Sequence, residues 1–165
     1  MIDTSAVRNI KDLRREYPCL YQKHYVVRSR SWKFNITKNT LNYYKDKYED
    51  NFFLIIGCGD NTQEQYPILL IPFKELKTII EKVEFEKSRG RWTFEINQTD
   101  YSMTWRYGVH IEGVQYLNRF DYLMIESFVD DIDKIQNELD SLKKSYVMIK
   151  NHLFSDKKYN GGLRK

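Results

Sequence analysis

Two cysteines, three prolines and seven glycines are all that the 165 residues contain of the side chains that staple or break a fold. Cys19 and Cys58 are too few for a disulfide framework and are not spaced as a zinc ligand set, so stability has to come from a hydrophobic core. At this length roughly 70% of the unfolded chain's surface can be buried, enough for a core without staples. Long apolar runs are also missing. No stretch approaches the roughly 18 to 20 uninterrupted apolar residues that a membrane-spanning helix needs, and Met1-Ile2-Asp3-Thr4-Ser5 opens neither a secretory h-region nor an Arg-rich transit peptide. No membrane segment is expected, and the cytoplasm is the expected compartment.

What the chain does have is aromatic surface: 15% of its residues are Phe, Trp or Tyr, 13 of them Tyr, which excludes a disordered polymer. The formal charge of +4 is mild, so its distribution matters more than its size. Residues 1–50 carry a surplus of five positive charges, residues 51–87 a deficit of two, residues 88–119 a surplus of one, and residues 120–165 are neutral. The cations are concentrated at the front.

Thr4 or Ser5 is placed to cap a short helix whose apolar positions Val7, Ile10, Leu13 and Tyr17 recur at helical spacing until Pro18 stops it. Over 23–36, Tyr25, Val27, Trp32, Phe34 and Ile36 alternate with Arg28, Arg30, Lys33 and Asn35, the pattern of one or two strands with cations on one face. The Lys-, Asn- and Tyr-rich stretch 37–50 is compatible with helix or loop. Phe52-Phe53-Leu54-Ile55-Ile56 and the run 67–71 read as two buried strands joined by a polar loop, and Pro72 suits the first turn of a following helix whose Leu76, Ile79 and Ile80 share a face. After the basic turn Ser88-Arg89-Gly90-Arg91, residues 92–96 and 103–107 are expected to form a hairpin. Finally Ile125, Phe128, Ile132, Ile135, Leu139, Leu142, Tyr146, Ile149 and Leu153 recur at alternating spacings of three and four, a heptad stripe on a helix of about 30 residues. Packing of this stripe on the chain's own sheet is favoured over a two-stranded coiled coil, because Phe128 and Tyr146 are bulky for a seam.

Catalytic patterns are sparse. His24, His110 and His152 lie on three separate elements without i, i+4 pairing, so no metal site is assigned. Gly57-Cys58-Gly59 lacks the further Gly, or the Gly-Lys-Ser/Thr, of the nucleotide-binding loops. The neighbours Asp60 and Glu64 argue against an activated Cys58 thiolate. Asp156-Lys157-Lys158 is the single match to a nuclease-like acidic spacing and falls in the polar tail. Three groups of interleaved cations and aromatics remain: Arg28, Arg30, Trp32 and Lys33; Arg89, Arg91 and Trp92; Tyr101, Trp105, Arg106 and Tyr107. Lys and Arg neutralise phosphates and aromatic faces stack on bases, so these groups point to nucleic acid.

From Phe52 to Leu76 the order is apolar strand, Gly-x-Gly turn, polar loop, Tyr66-Pro67 with an aliphatic strand, then a short helix. This resembles the N-terminal DNA-recognition domains of McrBC-type restriction systems. Ile71-Pro72-Phe73-Lys74-Glu75-Leu76 followed by Arg91-Trp92-Thr93-Phe94-Glu95-Ile96 is similar to the DNA-binding pseudobarrel of site-specific restriction enzymes. The pseudobarrel likeness implies two arms in the major groove: the loop 57–65, with Asp60, Asn61, Gln63 and Gln65, and the hairpin 97–107, with Asn97 and Arg106. Asn, Gln and Arg side chains are the types that can read base edges bidentately. The McrB likeness implies instead a flipped, modified cytosine in an aromatic pocket, for which Trp32, Tyr66 and Trp105 are the candidates. The tryptophan-containing run of that family is replaced here by Asn51-Phe52-Phe53, which favours groove readout.

The expectation is thus an α+β domain over 1–155, a curved antiparallel sheet or partly open β-barrel with short helices and a long C-terminal helix at about 121–154, then a linker or flexible tail at 156–165. Its expected function is sequence-specific duplex DNA binding in a restriction system, through Arg28, Arg30, Lys33, Arg89 and Arg91 together with the arm residues. No catalytic residue, cofactor or metal is assigned; cleavage or translocation would belong to a GTPase or nuclease domain or subunit. The rival readings are a protein-interaction adaptor working through the heptad helix and a small enzyme with an unrecognised site.

Overall fold

Asn9, rather than Thr4 or Ser5, starts the first helix. In the computed structural model, which describes residues 4–29, 31–59, 63–82, 85–104 and 110–155, Thr4–Ala6 form a 3-10 turn and helix α1 spans Ile10–Glu16. The Asn9 side-chain oxygen accepts from the Lys11 and Asp12 amides at 2.8 and 3.1 Å. Its amide nitrogen donates to the Glu64 carbonyl at 2.8 Å. One side chain thus caps the helix and ties it to the loop 55 residues away. Ile10 and Leu13 are buried, and Tyr17 ends the helix before Pro18. A single further turn, α2 (Leu20–Lys23), leads into the sheets.

Strand β1 (Tyr25–Arg28) runs parallel to β3 (Phe53–Gly57), which is antiparallel to β4 (Ile68–Pro72). β3 is the middle strand, and Leu54, Ile55, Ile56 and Gly57 are all buried, as its continuous apolar run requires when both faces are covered. The second sheet is antiparallel throughout, in the order β2 (Lys33–Thr37), β5 (Arg91–Ile96), β6 (Met103–Thr104), β7 (His110–Ile111). The class is α+β, as expected. The sheets are not closed into a barrel, and the first departs from an all-antiparallel plan in its β1–β3 pair. A parallel pair needs a crossover connection. Here β2 and helix α3 (Lys38–Tyr48) supply it, which resolves the stretch 37–50 as helix.

Between β1 and β2 the chain changes sheet at a sharp corner. Ser31 and Trp32 adopt positive φ of 51° and 59°, sparsely allowed for side chains of this size. The corner is held by the Ser29 amide donating to the Gly57 carbonyl and the Ile96 amide donating to the Trp32 carbonyl, at 3.0 and 2.7 Å.

Aromatic rings join the aliphatic side chains of β3 and β4 in the core. The Tyr44 ring stacks on Tyr25 and Phe52, and Phe52 stacks on Phe73 of helix α4 (Phe73–Ile80) with centroids 4.5 Å apart. Tyrosine hydroxyls reach backbone at the core's edge: Tyr44 donates to the Tyr21 carbonyl and Tyr48 to that of Gln22. Phe34 and Phe94 stack in the same core from β2 and β5. The outer edge of β4 is closed by Asn118, whose side-chain oxygen accepts from the Ile68 amide while its own amide donates to the Ile68 carbonyl. Gly113 lies so close to the Tyr101 carbonyl that a Cβ there would sit 1.7 Å from its oxygen.

Helix α5 (Asp121–Ser155) has the expected extent, and the chain forms two compact units, Met1–Asp121 and Tyr122–Lys165. The nine residues of the heptad stripe, Ile125 to Leu153, are 45–67% exposed. The apolar faces of both sheets share a core made of unit 1 side chains. Residues 156–165, with Asp156 and the expected tail, lie outside the described residues. Among the described residues no helix is long and apolar enough to cross a membrane.

Phe52 touches both the α3 and α4 sides of this core and is 2% exposed. Phe52→Ala should therefore cost about 3 to 5 kcal/mol, read as a lower urea midpoint at unchanged slope.

Candidate nucleic-acid interface

Alternation along β2 and β5 sends Phe34, Ile36, Phe94 and Ile96 inward and leaves Lys33, Asn35, Thr93 and Glu95 on the outer face. The register then decides who meets whom. Lys33 lies opposite Glu95, Asn35 opposite Thr93 and Thr37 opposite Arg91. Accordingly the Lys33 Nζ is 2.6 Å from the Glu95 carboxylate, and the Thr93 hydroxyl donates to the Asn35 side-chain oxygen at 2.8 Å. Next along the sheet Thr104 stands opposite Glu95. The turn before β5 folds over one end, with the Glu86 amide donating to the Arg91 carbonyl and Arg89 3.8 Å from the Glu86 carboxylate.

The result is a polar groove of about 550 Å³ lined by Lys33, Asn35, Glu86, Arg89, Arg91, Thr93, Glu95 and Thr104. It carries three cations against two carboxylates. Lys33 and Arg89 each have a carboxylate partner, whereas Arg91, half-buried, makes no ion pair among the described residues, and its Nε is buried without a hydrogen-bond partner. An unpartnered buried guanidinium N–H is costly, and an anionic or carbonyl oxygen entering the groove would satisfy it.

Of the sequence-derived site residues, the structure brings Lys33, Arg89 and Arg91 together here. Arg28 is exposed on β1, in the other sheet, opposite Gly57. Gln63 and Gln65 are exposed in the loop before β4. Asn97 is exposed at the tip of the β5–β6 hairpin, where its side-chain oxygen accepts from the Thr99 amide, so it shapes the turn. Arg30, Asp60, Asn61, Trp105 and Arg106 lie outside the described residues, as does Tyr107. The groove's Asn35, Thr93, Glu86, Glu95 and Thr104 escaped sequence reasoning, because alternation marks them as outward-facing but not as neighbours.

The aromatic candidates do not converge on one described pocket. The Tyr66 ring lies over Gly57 and Gly59, where a Cβ would come within 2.8 and 2.7 Å of it, and its hydroxyl accepts from the Ile10 amide. The Gly-x-Gly turn is thus a flat seat for Tyr66. Trp32 packs against the core beside Tyr101, centroids 6.4 Å apart, and Tyr101 also has positive φ, at 56°. Trp92 pairs with Phe85 at 4.8 Å and faces the core.

Cys58 is fully buried, and burial pushes its thiol up to about 12. His24 is buried between Tyr17 and Phe53, with its Nδ1 accepting from the Phe53 amide. Among the described residues no three His, Cys, Asp or Glu side chains are grouped to hold a metal ion. Compared with protein-family models, curated proteins and solved structures, the chain matches none.

Because the folded Cys58 pKa stands above its ordinary value of about 9, its contribution to stability is fully present below that value and is lost as pH rises from 9 toward 12. A thiol reagent at pH 8 should label exposed Cys19 at once and Cys58 only on unfolding. Cys58→Ala should flatten the fall in urea midpoint above pH 9.

Proposed function

We propose that this chain is a sequence-specific duplex-DNA-binding module of a cytoplasmic restriction system, with cleavage or translocation supplied by a GTPase or nuclease domain or subunit. In this reading the outer face of the antiparallel sheet lies against the phosphate backbone. Arg91 is the principal phosphate contact; Arg89 and Lys33 flank it. Gln63 and Gln65 belong to a second contact, in the loop before β4, where they read base edges.

The observation that carries the reading is the convergence of Lys33 with the distant pair Arg89 and Arg91 on one groove in which the buried Arg91 Nε lacks a hydrogen-bond partner. The resemblance of 52–76 and 91–96 to restriction-system recognition domains supports it independently. The carboxylates of Glu86 and Glu95 hold Arg89 and Lys33 in place but neutralise part of their charge. Affinity should accordingly be modest, with much of the specificity coming from direct base contacts.

Fluorescence anisotropy with a labelled duplex tests this. Binding at low salt should weaken linearly in log K against log salt, and Arg91→Ala should lower the slope by about one. Gln63→Ala should leave the slope unchanged and reduce discrimination between cognate and scrambled duplex by about tenfold. No duplex binding at low salt, or an Arg91→Ala slope equal to the parent's, would overturn the proposal.

A further inference from the structure

Nine apolar side chains of α5, from Ile125 to Leu153, follow the heptad positions a and d over four heptads, and each is 45–67% exposed. A strict 3.5-residue repeat is the period of a seam for another helix, since a helix lying on a sheet buries a broader face. Over its roughly 42 Å this stripe can remove on the order of 800 Å² per copy from water, the area of a standard specific interface.

Charge identifies the second helix. Residues 121–140 carry seven acidic side chains and one Lys, whereas residues 141–155 carry three Lys and His152 with no acidic residue. A parallel copy would set acid beside acid. An antiparallel copy sets acid beside base, so a second molecule of this chain supplies its own complement. The side chains fit the same orientation, because in an antiparallel pair a positions meet d positions. Placing Ile135 against Leu139 of the second copy brings Ile132 to Leu142, Phe128 to Tyr146 and Ile125 to Ile149, each layer occurring twice about the two-fold axis. Asp130 and Asp131 then stand at the height of Lys144 and Lys143 of the second copy but away from the seam, so the attraction is between the acidic half of one helix and the basic half of the other rather than residue to residue. The two aromatic residues that are bulky for a parallel seam pair with each other instead of with themselves. Glu138 meets its symmetry mate at the centre, a like-charge contact that four apolar layers on either side outweigh. We propose that α5 is a homodimerisation helix that forms an antiparallel two-stranded coiled coil with a second copy of this chain. This inference is independent of the DNA reading.

Sedimentation equilibrium of the full chain should give a dimer at micromolar concentration. Leu142→Asp should raise its dissociation constant at least a hundredfold while the near-ultraviolet circular dichroism of residues 4–121 is kept. Orientation is read in a Cys19→Ser background, where Ile125→Cys and Ile149→Cys chains should form an inter-chain disulfide when mixed and little when each is alone. A monomer at tens of micromolar, a dimer that Leu142→Asp leaves intact, or disulfides formed by each variant with itself would each overturn the proposal.

Discussion

The burial of β3 on both faces is the constraint on which the rest of unit 1 depends. A strand with Leu54, Ile55 and Ile56 all inside needs a hydrogen-bonded neighbour on each edge and cover on each face. The edges are taken by β1 and β4. Phe52 at its start and Gly57 at its end then fix the corners, Phe52 by stacking between Tyr44 and Phe73, Gly57 by leaving room for the Tyr66 ring. Tyr66 in turn receives the first amide of α1, so the N-terminal helix, the loop before β4 and the middle strand are one mechanical unit.

The second sheet is built on the opposite logic. Its inner face, with Phe34, Ile36, Phe94 and Ile96, closes the core, and its outer face pairs polar side chain with polar side chain across the strands. Lys33–Glu95 and Asn35–Thr93 satisfy each other, whereas Arg91 lies opposite Thr37, whose hydroxyl donates to that of Thr40. That mismatch leaves the Arg91 Nε buried without a hydrogen-bond partner among the described residues, and the proposed function rests on it.

Elements whose signal is local were legible in the sequence. The apolar runs of β3 and β4, the face of α4 and the heptads of α5 each announce themselves within a dozen residues or so. Helix α3 did not, because it buries only Leu41 and Tyr44 and its remaining surface is polar. The cap at Asn9 was hidden because Thr4 and Ser5 are equally good caps, and the choice is made by the distant Glu64 carbonyl. Cations of the groove could be named by type, yet their partners could not, since strand register across 58 residues leaves no trace in alternation. Asn97 lies in the β5–β6 turn, where its side-chain oxygen accepts from the Thr99 amide, a local bond that its residue type alone does not announce.

The central claim is that the outer face of the antiparallel sheet is where duplex DNA lies. Hydrogen exchange read by mass spectrometry, on the chain alone and with saturating duplex, tests it most directly. Peptides covering 33–37 and 86–96 should gain protection with DNA, while those covering 125–153 should not change. Protection confined to α5, or none on β2 and β5, would contradict the account.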